Sequence, residues 1–485
     1  MRTPGRLPTL LGLAAALLLA GSASAQERFR KTPPPPDPTP ELRLPNVETY
    51  TLSNGLAIST VFREGQPFIN IQLIVGTGEA DSPRLSPGTA SFAANMIVRG
   101  TIELSAGQIL ERIEAMGGRL SVNTRVEATV FTFQFLEEYL DQALDLLSQI
   151  ILHPAFSDVE LGVVRYNLYY DLLDKEKDAS FVGKRQLLRE LFRNHAYRAG
   201  FFNKDVLKNI KTSEVSRFYQ THYYPNWSHI VLTGNLSLRA ATRKVSHFFN
   251  TWARGPEPRP ALPLPPPNDE LRVIFVDIPQ AQEAMVFVGN VVPAMTSPAY
   301  FPLLVFQQVM GGSVNSRLML NLRETKGYAY YAFSQVETYP GFDLFVVRAR
   351  LAPEFVHASV EEVLNELRRN GTAPLPTAEV EQAKTFLLGR FPLTIERLEN
   401  LAERIADLKL YDLADDFWSR YEENILLVND ERVFRLVQSL PLLTPVVVIA
   451  GDKRVLADQL KSFDKVDIFD AQGTFQYSLV KETEK

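Results

Sequence analysis

The sequence contains no cysteine, which excludes disulfides, thiolate metal sites, cysteine nucleophiles and iron–sulfur clusters together. Histidine is scarce. His153, His195, His222, His229, His247 and His357 are the whole set, and no two stand three or four residues apart. No helix can therefore present a His pair on adjacent turns to a metal ion. Charge of one sign is also lacking: 51 Lys plus Arg against 56 Asp plus Glu leaves a net charge of −5, without the basic footprint of a nucleic-acid binder. Beyond residue 25 no apolar run approaches the roughly 20 residues that a membrane-spanning helix needs. No G-x-S-x-G elbow and no G-x-x-x-x-G-K-[ST] loop occurs, so nothing supports a self-sufficient serine hydrolase or a P-loop enzyme.

What is present is globular: 485 residues, 45% of them hydrophobic and 22% charged. Arg2 and Arg6 precede the apolar run LLGLAAALLLAG, and Ala23-Ser24-Ala25 follows. A basic start, a short apolar stretch and an A-x-A site describe a secretory signal peptide over residues 1–25. Export to a bacterial periplasm is the expectation, with no membrane span left after cleavage. Proline clusters then punctuate the chain. Residues 26–44 form a proline-rich lead, and GPEPRPALPLPPPND over 255–269 reads as a linker, because proline continues neither helix nor central strand. The lobes are expected at 45–254 and 270–476, with a tail at 477–485.

The two lobes repeat one plan. FINIQLIVGTG and AMVFVGNVV read as strands, each followed by an apolar helix, SPGTASFAANM in one lobe and AYFPLLVFQQVMGG in the other. Helices ending in glycine lead to strand pairs, RLSVNTRVEATVFTFQFL and YAYYAFSQVETYPGFDLFVVRARL, which alternate apolar and polar residues as a sheet with one wet face does. The order predicts an α+β architecture: two homologous lobes, each a mainly antiparallel sheet with helices packed on one face.

The stretch Gly88-Thr89-Ala90-Ser91-Phe92-Ala93-Ala94-Asn95-Met96, followed by Gly100-Thr101, carries a family resemblance. With the two-lobe plan it resembles the insulinase (pitrilysin) family of zinc peptidases, which includes the mitochondrial processing peptidase. The resemblance covers about residues 45–475 and implies a clam-shell half. The family's G-x-x-H-x-x-E-H has two histidine ligands and a glutamate that activates the metal-bound water. Here those positions are Ser91, Ala94 and Asn95, and the third ligand, a glutamate on a later helix, falls on Asn167. Zinc favours His, Cys and carboxylate ligands over hydroxyl and neutral amide, and alanine accepts no proton. No zinc is expected on this chain, with His195 or His153 left as the only candidates for an unconventional site.

The second lobe holds Leu322-Arg323 and, past Gly327, Tyr330, which match the family pattern L-R-x-x-x-G-x-x-Y. The resemblance implies that Arg323 and Tyr330 hold the substrate carbonyl and stabilise the developing oxyanion, since both are hydrogen-bond donors. Pairing of Arg323 with Glu324 and an ordinary strand role for Tyr330 is the competing reading. Gly311 and Gly312 resemble the family's glycine-rich loop beside the substrate cavity, and a plain helix stop fits them as well. Ser121, Val122 and Asn123 match a strand on which an extended peptide can add, or form a simple hairpin.

In the family's heterodimers one subunit holds zinc and the other supplies the Arg/Tyr pair. This chain is expected to be the second kind, with peptide substrates and a homologous H-x-x-E-H partner that carries the zinc. The alternative is a catalytically inactive scaffold or peptide-binding protein of the cell envelope.

Overall fold

A computed structural model describes residues 47–481, apart from residues 66, 84–85, 201–203, 258–261 and 267. The expected signal peptide, and the proline-rich lead up to residue 44, lie outside the described residues. Among the described residues the first sheet comprises β1 (Val47–Thr51), β2 (Ala57–Phe62), β3 (Phe68–Val75), β4 (Arg119–Thr124), β5 (Thr129–Leu136) and β6 (Ser228–Gly234). Its order is β1-β2-β6-β3-β5-β4, with β2 and β6 parallel and the other neighbours antiparallel. The second sheet comprises β7 (Arg272–Asp277), β8 (Ala284–Pro293), β9 (Ala329–Tyr339), β10 (Phe342–Leu351), β11 (Val446–Gly451), β12 (Lys465–Asp470) and β13 (Phe475–Val480). It runs β13-β12-β7-β11-β8-β10-β9. Superposing β2-β6-β3-β5-β4 on β7-β11-β8-β10-β9 matches every strand direction, including the one parallel pair in each core. The repeated α+β plan is therefore present.

Each lobe's own helices cover one sheet face. The opposite face, expected to be wet, is covered in its central part by a helix from the other half of the chain. The Ala179–Phe192 helix lies on β8 and β11. Its Val182, Leu187 and Leu191 pack against Ile274, Met285, Phe287 and Val448. The Leu398–Leu410 helix returns the exchange on β3 and β6, setting Leu401, Ala402 and Ile405 against Val61, Ile74, Val130 and Val231. Polar strand residues on this side are buried with it: Gln72 donates to the Glu399 carbonyl at 3.0 Å and Thr233 to that of Leu398 at 3.3 Å. Alternation in sequence marks two faces but does not say what covers the second.

Two features cross the expected lobe boundaries. The first half's span contains a helix that completes the second sheet, and the converse holds for the second half. Strand β13 also runs through the expected boundary at 476, pairing with β12 up to Val480 opposite Lys465. The proline-rich linker is tacked down where it is described. The Pro256 carbonyl accepts from Asn226 Nδ2 (2.7 Å) and Trp227 Nε1 (2.9 Å), and Pro263 O lies 2.5 Å from His195 Nε2.

Candidate functional site

The first part of the site is the motif helix Thr89–Ile97, entered through Gly88 in the left-handed conformation at φ 92°. Its apolar residues Ala90, Phe92, Ala93 and Met96 face the first lobe's core. Ser91 and Asn95 lie on the half-buried side, one turn apart. The structure commits both to internal bonds. Ser91 donates its hydroxyl to the Glu79 carboxylate, and its amide donates to the same oxygen at 2.9 Å. Asn95 Nδ2 donates to the Ser91 carbonyl at 2.8 Å. Ala94 is wholly buried.

Glu79 was not legible as a site residue. It is 5% exposed and also accepts from the Ser82 hydroxyl (2.9 Å) and the Gly88 amide (3.2 Å). Burial pushes its pKa up, against the pull of these donors. A carboxylate at a helix N-terminus accepts the free amides there and meets the positive end of the helix dipole. The motif helix is thus tied down by an internal carboxylate.

Residues at the expected ligand positions do not fit a zinc ion. Ser91 and Asn95 are engaged, Ala94 has no donor atom, and Asn167 is an exposed amide on the Asp158–Lys175 helix. Among the described residues no three His, Asp or Glu side chains converge as a metal ion requires. His195 packs in a ring cluster with Phe192, Tyr197 and Phe342, and His153 ends the Leu140–Leu152 helix as its C-cap.

The second part surrounds Arg323 and Tyr330. Arg323 lies on a π-helical stretch, Met319–Thr325, wider than the ordinary helix that the sequence predicts. π-helical turns are rare and are frequent at functional sites. The stretch is fixed at both ends. Upstream, Arg317 forks onto Glu379 (2.7 and 3.1 Å) and reaches Asn370 (2.9 Å). Asn321 (3.0 Å), within the stretch, and Lys326, just past its end, both bind Glu362. Gly327, at φ 67°, stops the helix, and its amide donates to Arg323 O at 3.1 Å.

Tyr330 then sits on a β-bulge. In the β9–β10 ladder Tyr331 pairs with Arg350 and Ala329 with Leu351, so Tyr330 has no partner residue. Bulges re-aim side chains and are over-represented beside active sites. The Arg323 side chain is 51% exposed and Tyr330 is 57% exposed. Arg323 Nε lies 3.5 Å from Glu324 Oε1, an exposed contact of small energetic weight. The cation over the Tyr330 ring is Arg350, 5.4 Å from the centroid.

A model of the insulinase family (peptidase family M16) matches residues 60–205, and a model of the peptidase M16 inactive domain matches residues 209–387. Together these spans exceed half of the sequence. The chain belongs to the M16 peptidase family. It is 26% identical over 362 residues to the non-peptidase homolog YmxG of Helicobacter pylori, covering 73% of this chain and 82% of the relative. An uncharacterized zinc protease YmxG of Bacillus subtilis is 24% identical over 364 residues, with 74% and 87% covered. Among solved structures, a peptidase M16 inactive domain from Pseudomonas fluorescens superposes with a TM-score of 0.78 at 18% identity, over 84% of this chain and 98% of that one. The periplasmic protease PqqL of Escherichia coli gives 0.70 at 16% identity, over 85% of this chain and 48% of that one.

The remaining expected positions of this M16 chain are placed as follows. Ser121, Val122 and Asn123 lie on β4, an edge strand paired only with β5 among the described residues. Gly311 is the last residue of the Tyr300–Gly311 helix and is pressed on β9, where an added Cβ would come 2.2 Å from Ser334 N. Gly312 caps that helix against Gln308. Close helix–sheet contact accounts for the first glycine and a helix end for the second. Among the described residues no helix is long and apolar enough to cross a membrane.

Proposed function

We propose that this M16 chain is the non-catalytic subunit of an exported heterodimeric zinc metallopeptidase. It supplies Arg323 and Tyr330 to a homologous partner that carries H-x-x-E-H. Activation of water belongs to the zinc chemistry of the partner, and this chain's residues act on the scissile carbonyl. The Arg323 guanidinium and the Tyr330 hydroxyl both donate to that oxygen, more strongly as it gains charge.

One observation carries the reading. Two uncommon backbone features, a π-helical stretch and a bulge, fall on the two residues concerned, in a chain whose own motif side chains are tied to Glu79 and to backbone. Both π-helical turns and bulges are over-represented at functional sites. Export is supported by the signal-like first 25 residues and by the fold shared with a periplasmic protease.

The test is reconstitution. The purified chain mixed with an H-x-x-E-H partner should show zinc-dependent peptidase activity, and Arg323→Ala should lower it by about 10²–10³. Activity indifferent to that substitution defeats the assigned role. The open edge of β4 favours a second reading, peptide binding without cleavage, because backbone pairing needs no metal. Tight peptide binding by the chain alone, with no peptidase formed by any M16 partner, would select it.

A further inference from the structure

Around the bulge the side-chain alternation of β9 breaks. Ala329 and Ala332 both belong to the core beneath the helices of the second lobe, whereas Tyr330 is exposed and Tyr331 packs on the opposite face. A regular strand alternates faces and would send one of these tyrosines inward with the alanines. The extra residue puts both phenols on one side. On the neighbouring strand, Arg348 and Arg350 are two residues apart and share that side. Arg348 lies 6.0 Å from the Tyr331 ring centroid and Arg350 5.4 Å from that of Tyr330. Arg350 is itself held, since Glu283 accepts from both its Nε and its Nη2. A forked guanidinium–carboxylate pair fixes direction as well as distance. Glu283 directly precedes β8, whose first residue, Ala284, pairs with Leu351. The relay thus runs from Glu283, just before β8, through Arg350 on β10 to Tyr330 on β9.

We infer that Arg350, locked by Glu283, is a positioning residue that fixes the direction of the Tyr330 ring and so aims its hydroxyl. Its consequence for catalysis rests on the function proposed above, but the positioning itself does not. A tyrosine 57% exposed on a bulge has little packing to choose its rotamer, and a cation over the ring face supplies that choice. Arg350 makes no contact with substrate in this scheme and acts through Tyr330. Lysine is a poor substitute, because an ammonium neither forks onto Glu283 nor lies flat on the ring.

The test uses the full chain carrying 3-fluorotyrosine at position 330. Arg350→Ala should move and narrow the fluorine resonance as the ring gains freedom. Glu283→Gln should move it in the same direction by less, with the melting temperature unchanged in both. A resonance unaffected by Arg350→Ala overturns the inference. With an active partner, Arg350→Ala should lower kcat about tenfold with KM little changed. Added to Tyr330→Phe it should cause no further loss, and a further loss would contradict action through Tyr330. If no partner gives activity, the functional reading fails while the fluorine result still decides the positioning.

Discussion

Ser91, the residue expected at the first histidine position of the family motif, donates its hydroxyl to Glu79. This bond joins the Thr89–Ile97 helix to the loop after β3. Glu79 accepts from four groups, and removing it would leave buried donors without partners. Glu79→Ala is expected to cost about 3 kcal/mol, and Ser91→Ala about 1 kcal/mol. Urea unfolding of the two variants checks the ranking.

The helix exchange makes stability common to both halves. Leu401 and Ile405 lie in the second half of the sequence but pack on the first sheet. Leu401→Ala is expected to destabilise by about 2–5 kcal/mol. It should lower the unfolding midpoint read by Trp227 and Trp252, in the first half, as much as that read by Trp418. Separate transitions would show lobes that fold independently.

Stability should fall as pH rises from 6.5 to 8. Burial pushes Asp343 up to about 8, so the folded chain keeps a proton that the unfolded chain releases near 4, and stability is lost through that interval. His229 works in the opposite sense. Burial, with Lys409 adding to it, holds it down at about 4, so protonation favours the unfolded chain and stability is lost as pH falls from 6.5 towards 4. Asp407, raised to about 6 by burial, adds to the Asp343 effect at the acid end. Asp407 and the unfolded chain's His229 have lost most of their protons by about pH 7.5, so Asp343 dominates the upper part of this interval, with a slope of up to about 1.4 kcal/mol per pH unit. Asp343→Asn should flatten the thermal-stability profile between pH 6.5 and 8 and leave the His229 limb in place.

Much of this was readable from residue patterns. Strands such as FINIQLIV and the repeated order of elements follow from periodicity. The partner of an amphipathic helix does not follow. Ala179–Phe192 has an apolar side, but nothing in its spacing says that the side belongs to the other sheet. Glu79 reads as a loop carboxylate, because its burial depends on how residues 78–91 close around it. The spacing from Arg323 to Tyr330 is the same for an α-helix and a regular strand as for the π-helical turn and bulge found here. A seven-residue interval locates the pair but says nothing of how the backbone aims it.

The most direct measurement is peptidase activity and bound zinc, assayed on the chain alone and again after mixing with a homologous H-x-x-E-H subunit. Alone, the chain is expected to hold no stoichiometric zinc and to cleave nothing. Mixed, it should raise the partner's activity, and Arg323→Ala and Tyr330→Phe should each remove most of that gain. Zinc-dependent cleavage by the unmixed chain, abolished by a chelator, would contradict the division of roles between the two subunits.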